Sequence, residues 1–232
     1  MVNFLRMLAG IALLPVCWGI SRALLDAIAQ VAGTVVGVSA PVLALLGGMM
    51  AFVVCWMVLP HPVRTYVFAH EMTHALWGIL FGARPSKLRV SAQGGSVNLT
   101  KTNVFITLAP YFFPFYTFLV TLAAGIAWLV AGRLPWLSLW MFLIGASWAF
   151  HVLFTIETLA QRQPDVTLYG RIFSWTFIYS ANILLVLGWM AAMTPLSSAE
   201  IGWLLHHRIF SAYLWVSRAC EVVLVWFLGL FV

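Results

Sequence analysis

The chain has 232 residues, of which 63% are hydrophobic and only 8% charged, with a formal net charge of +6. A soluble domain carries about 25% charged residues, so this composition excludes an ordinary water-soluble fold, which could not bury so much apolar side chain at this size. The positive charge does not point to nucleic acid: Arg64, Arg84, Lys87, Arg89, Lys101, Arg162, Arg171 and Arg208 are scattered through predicted loops, where they fit anchoring at lipid headgroups.

Taken in chain order, apolar stretches at about 7–28 and 39–60 each reach the roughly 20 residues that cross a hydrocarbon core. Arg6 before an apolar run and Ser21-Arg22-Ala23 after it imitate a signal peptide; the segment is read as a retained first span. Cys17, Cys55 and Cys220 lie in apolar runs with no metal-site spacing and read as small buried hydrophobes.

A third apolar helix, at about 65–82, carries His70-Glu71-Met72-Thr73-His74. Four residues advance a helix by about 400°, so the two imidazoles share one face, one turn apart. That spacing lets both reach a single ion. Zinc suits imidazole with an oxygen ligand, and a catalytic site keeps one position open for water. Glu71 lies beside the pair, placed to take a proton from that water. Ionisable groups in an apolar helix are costly and by default imply function.

Residues 84–101 are polar, and Leu88/Val90 and Val97/Leu99 flank Ala92-Gln93-Gly94-Gly95. That pattern predicts a β-hairpin with glycine supplying positive φ, either an ordinary extramembrane hairpin or an edge able to pair with an extended substrate. The stretch 103–131 is broken by Pro110 and Pro114 and reads as a re-entrant segment plus a span. In the span at about 136–160, His151, Thr155 and Thr158 share a face and Glu157 lies off it. His151 reads as a substrate-binding residue or a hydrogen-bonded core histidine, and Glu157 as a rival metal ligand.

Asp26 and Asp165 are the chain's two aspartates. Asp165, in Gln163-Pro164-Asp165-Val166, is either a third metal ligand or an N-cap on the helix predicted at about 166–193. Further spans are predicted at about 172–193 and 209–231. His206-His207 is predicted to lie in a loop before the last of them, and Glu221 to pair with Arg218 at i+3. The fold expected is an all-α polytopic membrane protein, one domain over residues 1–232 with six to seven transmembrane helices and a small membrane-associated β-hairpin.

These residues resemble the site-2 protease family of intramembrane metalloproteases. That family places His-Glu-x-x-His on a transmembrane helix, follows it with a membrane-associated β-hairpin, and takes a third zinc ligand from an aspartate on a later helix. His70-Glu71-Met72-Thr73-His74, the hairpin at about 86–100 and Asp165 stand in that order, and the resemblance covers about residues 65–190. Of the family's Asn-Pro-Asp-Gly only Pro164-Asp165 matches, and Leu108-Ala109-Pro110-Tyr111-Phe112-Phe113-Pro114 stands where the family has Gly-Pro-x-x-Asn. The chain reads as a core-only member.

The resemblance implies zinc held by His70, His74 and Asp165, with Glu71 moving a proton from water to the leaving amine. His151 and Asn182 are candidates for contacting substrate or the developing oxyanion. The implied partners are the lipid bilayer and a membrane protein or peptide substrate, with no nucleic acid; any regulatory partner is unspecified. The implied location is a multi-pass position in a bacterial cell membrane. Two alternatives stand beside this: a non-catalytic zinc-containing membrane scaffold, and a membrane zinc protease of another family with glutamate as third ligand.

Overall fold

The computed structural model describes residues 2–34 and 39–229. The described chain is mostly helical. Its elements are α1 (Val2–Thr34), α2 (Ala40–Val58), α3 (Val63–Leu80), β1 (Pro85–Ser91), β2 (Gly94–Leu99), α4 (Val104–Leu108), α5 (Phe115–Ala131), α6 (Leu137–Ala160), α7 (Pro164–Leu168), α8 (Arg171–Met193) and α9 (Ser198–Gly229), with a 3-10 turn at Ala109–Tyr111. Among the described residues, five helices are long and apolar enough to cross a membrane: α2, α6, α8, α9 and most of α1. The count reaches six if Val104–Tyr111 and Phe115–Ala131, bent by 84° at their junction, form one broken span. The outward faces of these helices are apolar, as at Met57, Val130 and Trp215. Water would not tolerate apolar exposure on that scale, so the helices support an integral membrane protein.

The chain falls into two compact units. One contains α1 and everything after Asp165; the other runs from α2 to Asp165. In the first, glycines let backbones meet closely: a Cβ at Gly10 would lie 2.6 Å from the Phe173 nitrogen, and one at Gly19 2.6 Å from Ile209 Cα. Small residues at helix crossings are how apolar helices gain contact in lipid, where burying apolar surface from water gives no drive. Polar side chains reinforce the packing. Arg6 donates to the Leu168 carbonyl at 2.7 Å, Tyr213 to that of Ala12 at 2.6 Å, and Arg208 Nε to Asp26 Oδ2. In the second unit α2 and α6 pack through Gly48, which abuts the Phe142 carbonyl, and Gly145, which abuts that of Leu45.

The predicted hairpin is present. β1 and β2 pair antiparallel, with Ser91 opposite Gly94 across the two-residue turn Ala92-Gln93. Gly94 takes φ +138°, a conformation open to glycine. A register irregularity between Ser86 and Arg89 carries Lys87 at φ +51°. The proline break predicted within 103–131 is the bend after Tyr111.

Several expectations need correction. The last helix starts at Ser198, eleven residues before the predicted 209, so His206 and His207 are helical and not in a loop. Their rings stack on Phe210 and Trp203 one turn away, which is how polar aromatic side chains ride on a helix surface. Arg208 is also helical, and paired. No ion pair joins Arg218 to Glu221. Cys55 and Cys220 lie on outward helix faces, and only Cys17 is partly buried, because an apolar membrane helix turns small thiols to lipid as readily as inward.

Candidate metal centre

The site is built around α3. The helix places Tyr66, Val67, Glu71 and Thr73 in buried positions, and His70 and His74 one turn apart. It ends at Leu80, and Gly82, at φ +72°, turns the chain as the Ala83 amide donates to the Gly78 carbonyl at 2.7 Å. That turn sends β1 and β2 back along the helix. A Cβ at Gly95 would lie 2.7 Å from Glu71 Cγ and 2.6 Å from Val67 Cγ1, so only glycine lets β2 come this close to the carboxylate. The Val97 backbone on β2 lies against the Glu71 carboxyl. Glu71, 7% exposed, is thus enclosed between its own helix and the hairpin.

Asp165 completes the group. Its Oδ2 lies 3.5 Å from His70 Nε2 and 3.4 Å from His74 Nε2. Among the described residues, these three form a cluster that can hold a metal ion. The other ring nitrogens fix how the imidazoles face. His74 Nδ1 lies 2.9 Å from the Ile106 carbonyl oxygen; a carbonyl only accepts, so Nδ1 carries the proton and Nε2 is left for the site. His70 Nδ1 lies 3.4 Å from the Tyr66 hydroxyl. Burial opposes ionisation of Asp165, yet hydrogen bonds and charge from the two histidines outweigh it and hold the carboxyl well below the usual carboxylate range. Two imidazole lone pairs and a carboxylate oxygen brought face to face repel one another unless a proton or a cation lies among them. The donor set therefore fits a metal.

Two contributions were not anticipated from sequence. The Tyr111 hydroxyl donates to Asp165 Oδ2 at 3.1 Å, and the Tyr111 ring meets that of His70 edge-on, centroids 5.3 Å apart. Ile106 supplies its carbonyl to His74. Both lie in the proline-broken segment, a sequence signal for backbone that must be covered by protein. Asn103 caps it, its Oδ1 accepting from the Ile106 amide at 2.9 Å.

The remaining predicted residues divide. Glu157 stands outside the cluster and faces His61, with 3.7 Å between Oε2 and Nδ1. His151 is buried in α6, and with His70, Thr73 and Ser147 lines a cavity of about 10 Å3. Among the described residues its Nε2 has no hydrogen-bond partner, unlike a satisfied core histidine. Asn182 belongs to the other unit, on α8, where its amide donates to the Ile178 carbonyl at 2.9 Å. Asp165 sits in the first turn of the short α7, and α8 begins after Gly170, so Asp165 is not the N-cap of that long helix. Comparison with family models, with curated proteins and with solved structures gives no match.

Proposed function

We propose that this chain is a zinc-dependent intramembrane endopeptidase of the site-2 protease type, hydrolysing peptide bonds of membrane-spanning or membrane-proximal substrates. The observation that carries the reading is the approach of Asp165 Oδ2 to His70 Nε2 at 3.5 Å and to His74 Nε2 at 3.4 Å, beside an enclosed Glu71 that is not one of the three. Zinc bonds of about 2.0–2.1 Å in tetrahedral arrangement separate neighbouring ligand atoms by roughly 3.3–3.4 Å. The two histidine–aspartate spacings, 3.5 and 3.4 Å, lie close to that figure, and calcium, which takes about six to eight oxygen ligands, does not suit the nitrogen donors.

When bound, zinc makes a water acidic enough to attack at neutral pH and polarises a carbonyl. The chain's own residues do the rest. Glu71 accepts the proton of the attacking water and passes it to the departing amine nitrogen. The β2 backbone at Gly95 lies against the Glu71 side chain and limits its movement. Ile106 fixes the His74 tautomer. The hairpin excludes water from one side of Glu71, and in a two-stranded sheet each strand keeps one unpaired edge, which supports pairing with an unwound substrate segment. A glutamate-ligand site loses support, because Glu157 faces His61. A purely structural metal centre would have no use for a carboxylate enclosed beside the ligands and outside the ligand set. The test is cleavage of single-span substrates by purified wild type and Glu71→Gln: turnover by the first alone is expected, and equal turnover by both would refute this route.

A further inference from the structure

The proline-broken segment between β2 and α5 makes two contacts with the metal centre, although it offers no ligand. Its carbonyl at Ile106 holds His74, and its phenol at Tyr111 holds Asp165. The path of the chain explains why both arrive together. Asn103 starts α4, Pro110 sits inside the 3-10 turn that follows it, and the chain then bends by 84° into α5. Tyr111 closes the turn and is 0% exposed. A phenol at that depth must spend its hydroxyl on a partner, and the partner is the carboxylate oxygen that faces both histidines.

The consequence for Asp165 is geometric. It enters from a five-residue helix with no long element to hold it, and a free carboxylate can rotate about χ2 or bind an ion through either or both oxygens. The Tyr111 hydroxyl occupies one lone-pair direction of Oδ2 at 3.1 Å, leaving another directed at the Nε2 pair. Groups that hydrogen-bond a ligating carboxylate orient it, and their loss typically costs about 10- to 100-fold in metal affinity.

We propose that Tyr111 is a positioning residue of this centre: its hydroxyl presets the Asp165 carboxylate for single-oxygen ligation and so sets the affinity for zinc. The inference rests on reading the cluster as a zinc site. It goes beyond that reading by assigning the broken segment a task. Tyr111→Phe removes the hydroxyl and keeps the ring against His70. Chelator-stripped full-length protein in detergent is titrated with zinc against a chromogenic competitor, for wild type, Tyr111→Phe, Asp165→Asn and the double variant, and thermal unfolding of each metal-free form is recorded.

Tyr111→Phe is expected to weaken zinc about 10- to 100-fold while metal-free unfolding stays near wild type. In the Asp165→Asn background it is expected to have little further effect, since the carboxylate that it positions is gone. Replacing Tyr111 by p-aminophenylalanine, which restores an N–H donor, returns affinity towards wild type, and does so even if the phenylalanine variant accumulates poorly. Wild-type affinity in Tyr111→Phe overturns the proposal, and so does an equal loss with and without Asp165. Wild-type protein that binds no zinc overturns both this inference and the zinc reading, whereas tight wild-type binding with an indifferent Tyr111 overturns this inference alone.

Discussion

Asp26 and Asp165 are the chain's only aspartates, and they meet opposite kinds of partner. Asp26, on α1, accepts from Arg208 of α9 within one compact unit. A guanidinium cannot give up its charge in a protein, so the Asp26 carboxylate is answered permanently from inside the chain. Asp165, in the other unit, meets two imidazoles and a phenol. None of these carries a fixed charge, so the negative charge of Asp165 requires a proton or a cation from outside. In an apolar chain the partner of a carboxylate, more than its burial, separates a structural acid from a chemical one.

The sharpest break of that comparison acts on neither aspartate but on Glu71, the proposed base. Glu71→Gln keeps size and hydrogen bonding and loses the ability to accept a proton. Turnover is expected to fall by about 10²-fold or more with metal content near wild type, measured by substrate cleavage and elemental analysis of one preparation. Next come the aspartates themselves. Asp165→Asn should lose both zinc and activity, because a neutral amide is a poorer ligand than a carboxylate. Asp26→Asn should keep zinc and lose stability, by about 1–3 kcal/mol, less than the roughly 3–5 kcal/mol of a fully buried broken pair, since both side chains keep some exposure. Thermal unfolding against metal content separates the two; a metal-poor Asp26→Asn would erase the distinction.

A smaller effect tests the hairpin. A side chain at Gly95 would strike Glu71 Cγ and Val67 Cγ1, so Gly95→Val should lift β2 from α3. Misplacing the base by about 1 Å is expected to cost about 10- to 100-fold in kcat/KM, with zinc retained. The smallest effect belongs to Glu157, an acid paired at the surface with His61. Glu157→Ala should change stability by under about 1 kcal/mol and leave zinc and cleavage as in wild type. Loss of zinc in that variant would return it to the ligand set.

What was legible in the sequence had local causes. The four-residue histidine spacing maps directly onto one helix face, the glycine-bearing turn onto the hairpin, and Pro110 with Pro114 onto the bend. What was not legible depends on contacts between residues far apart in sequence. Tyr111 and Asp165 are 54 residues apart, and His74 and Ile106 are 32 apart, and no periodicity records such pairs. Gly95 read as a turn residue when its constraint is the approach of β2 to Glu71. The start of α9 was missed because His206, His207 and Arg208 look like loop, yet a helix carries them where stacking and Asp26 receive them. Local pattern likewise leaves Asp165 between cap and ligand; in three dimensions it meets both histidines, and it is not the cap of α8.

The most direct test is the metal content of the purified protein with and without the histidine pair. Elemental analysis of wild type should return about one zinc per chain, matching one three-ligand set, and His70→Ala and His74→Ala should each return close to none while remaining folded. Wild type without zinc after purification in its presence, or full zinc in both variants, would contradict the account.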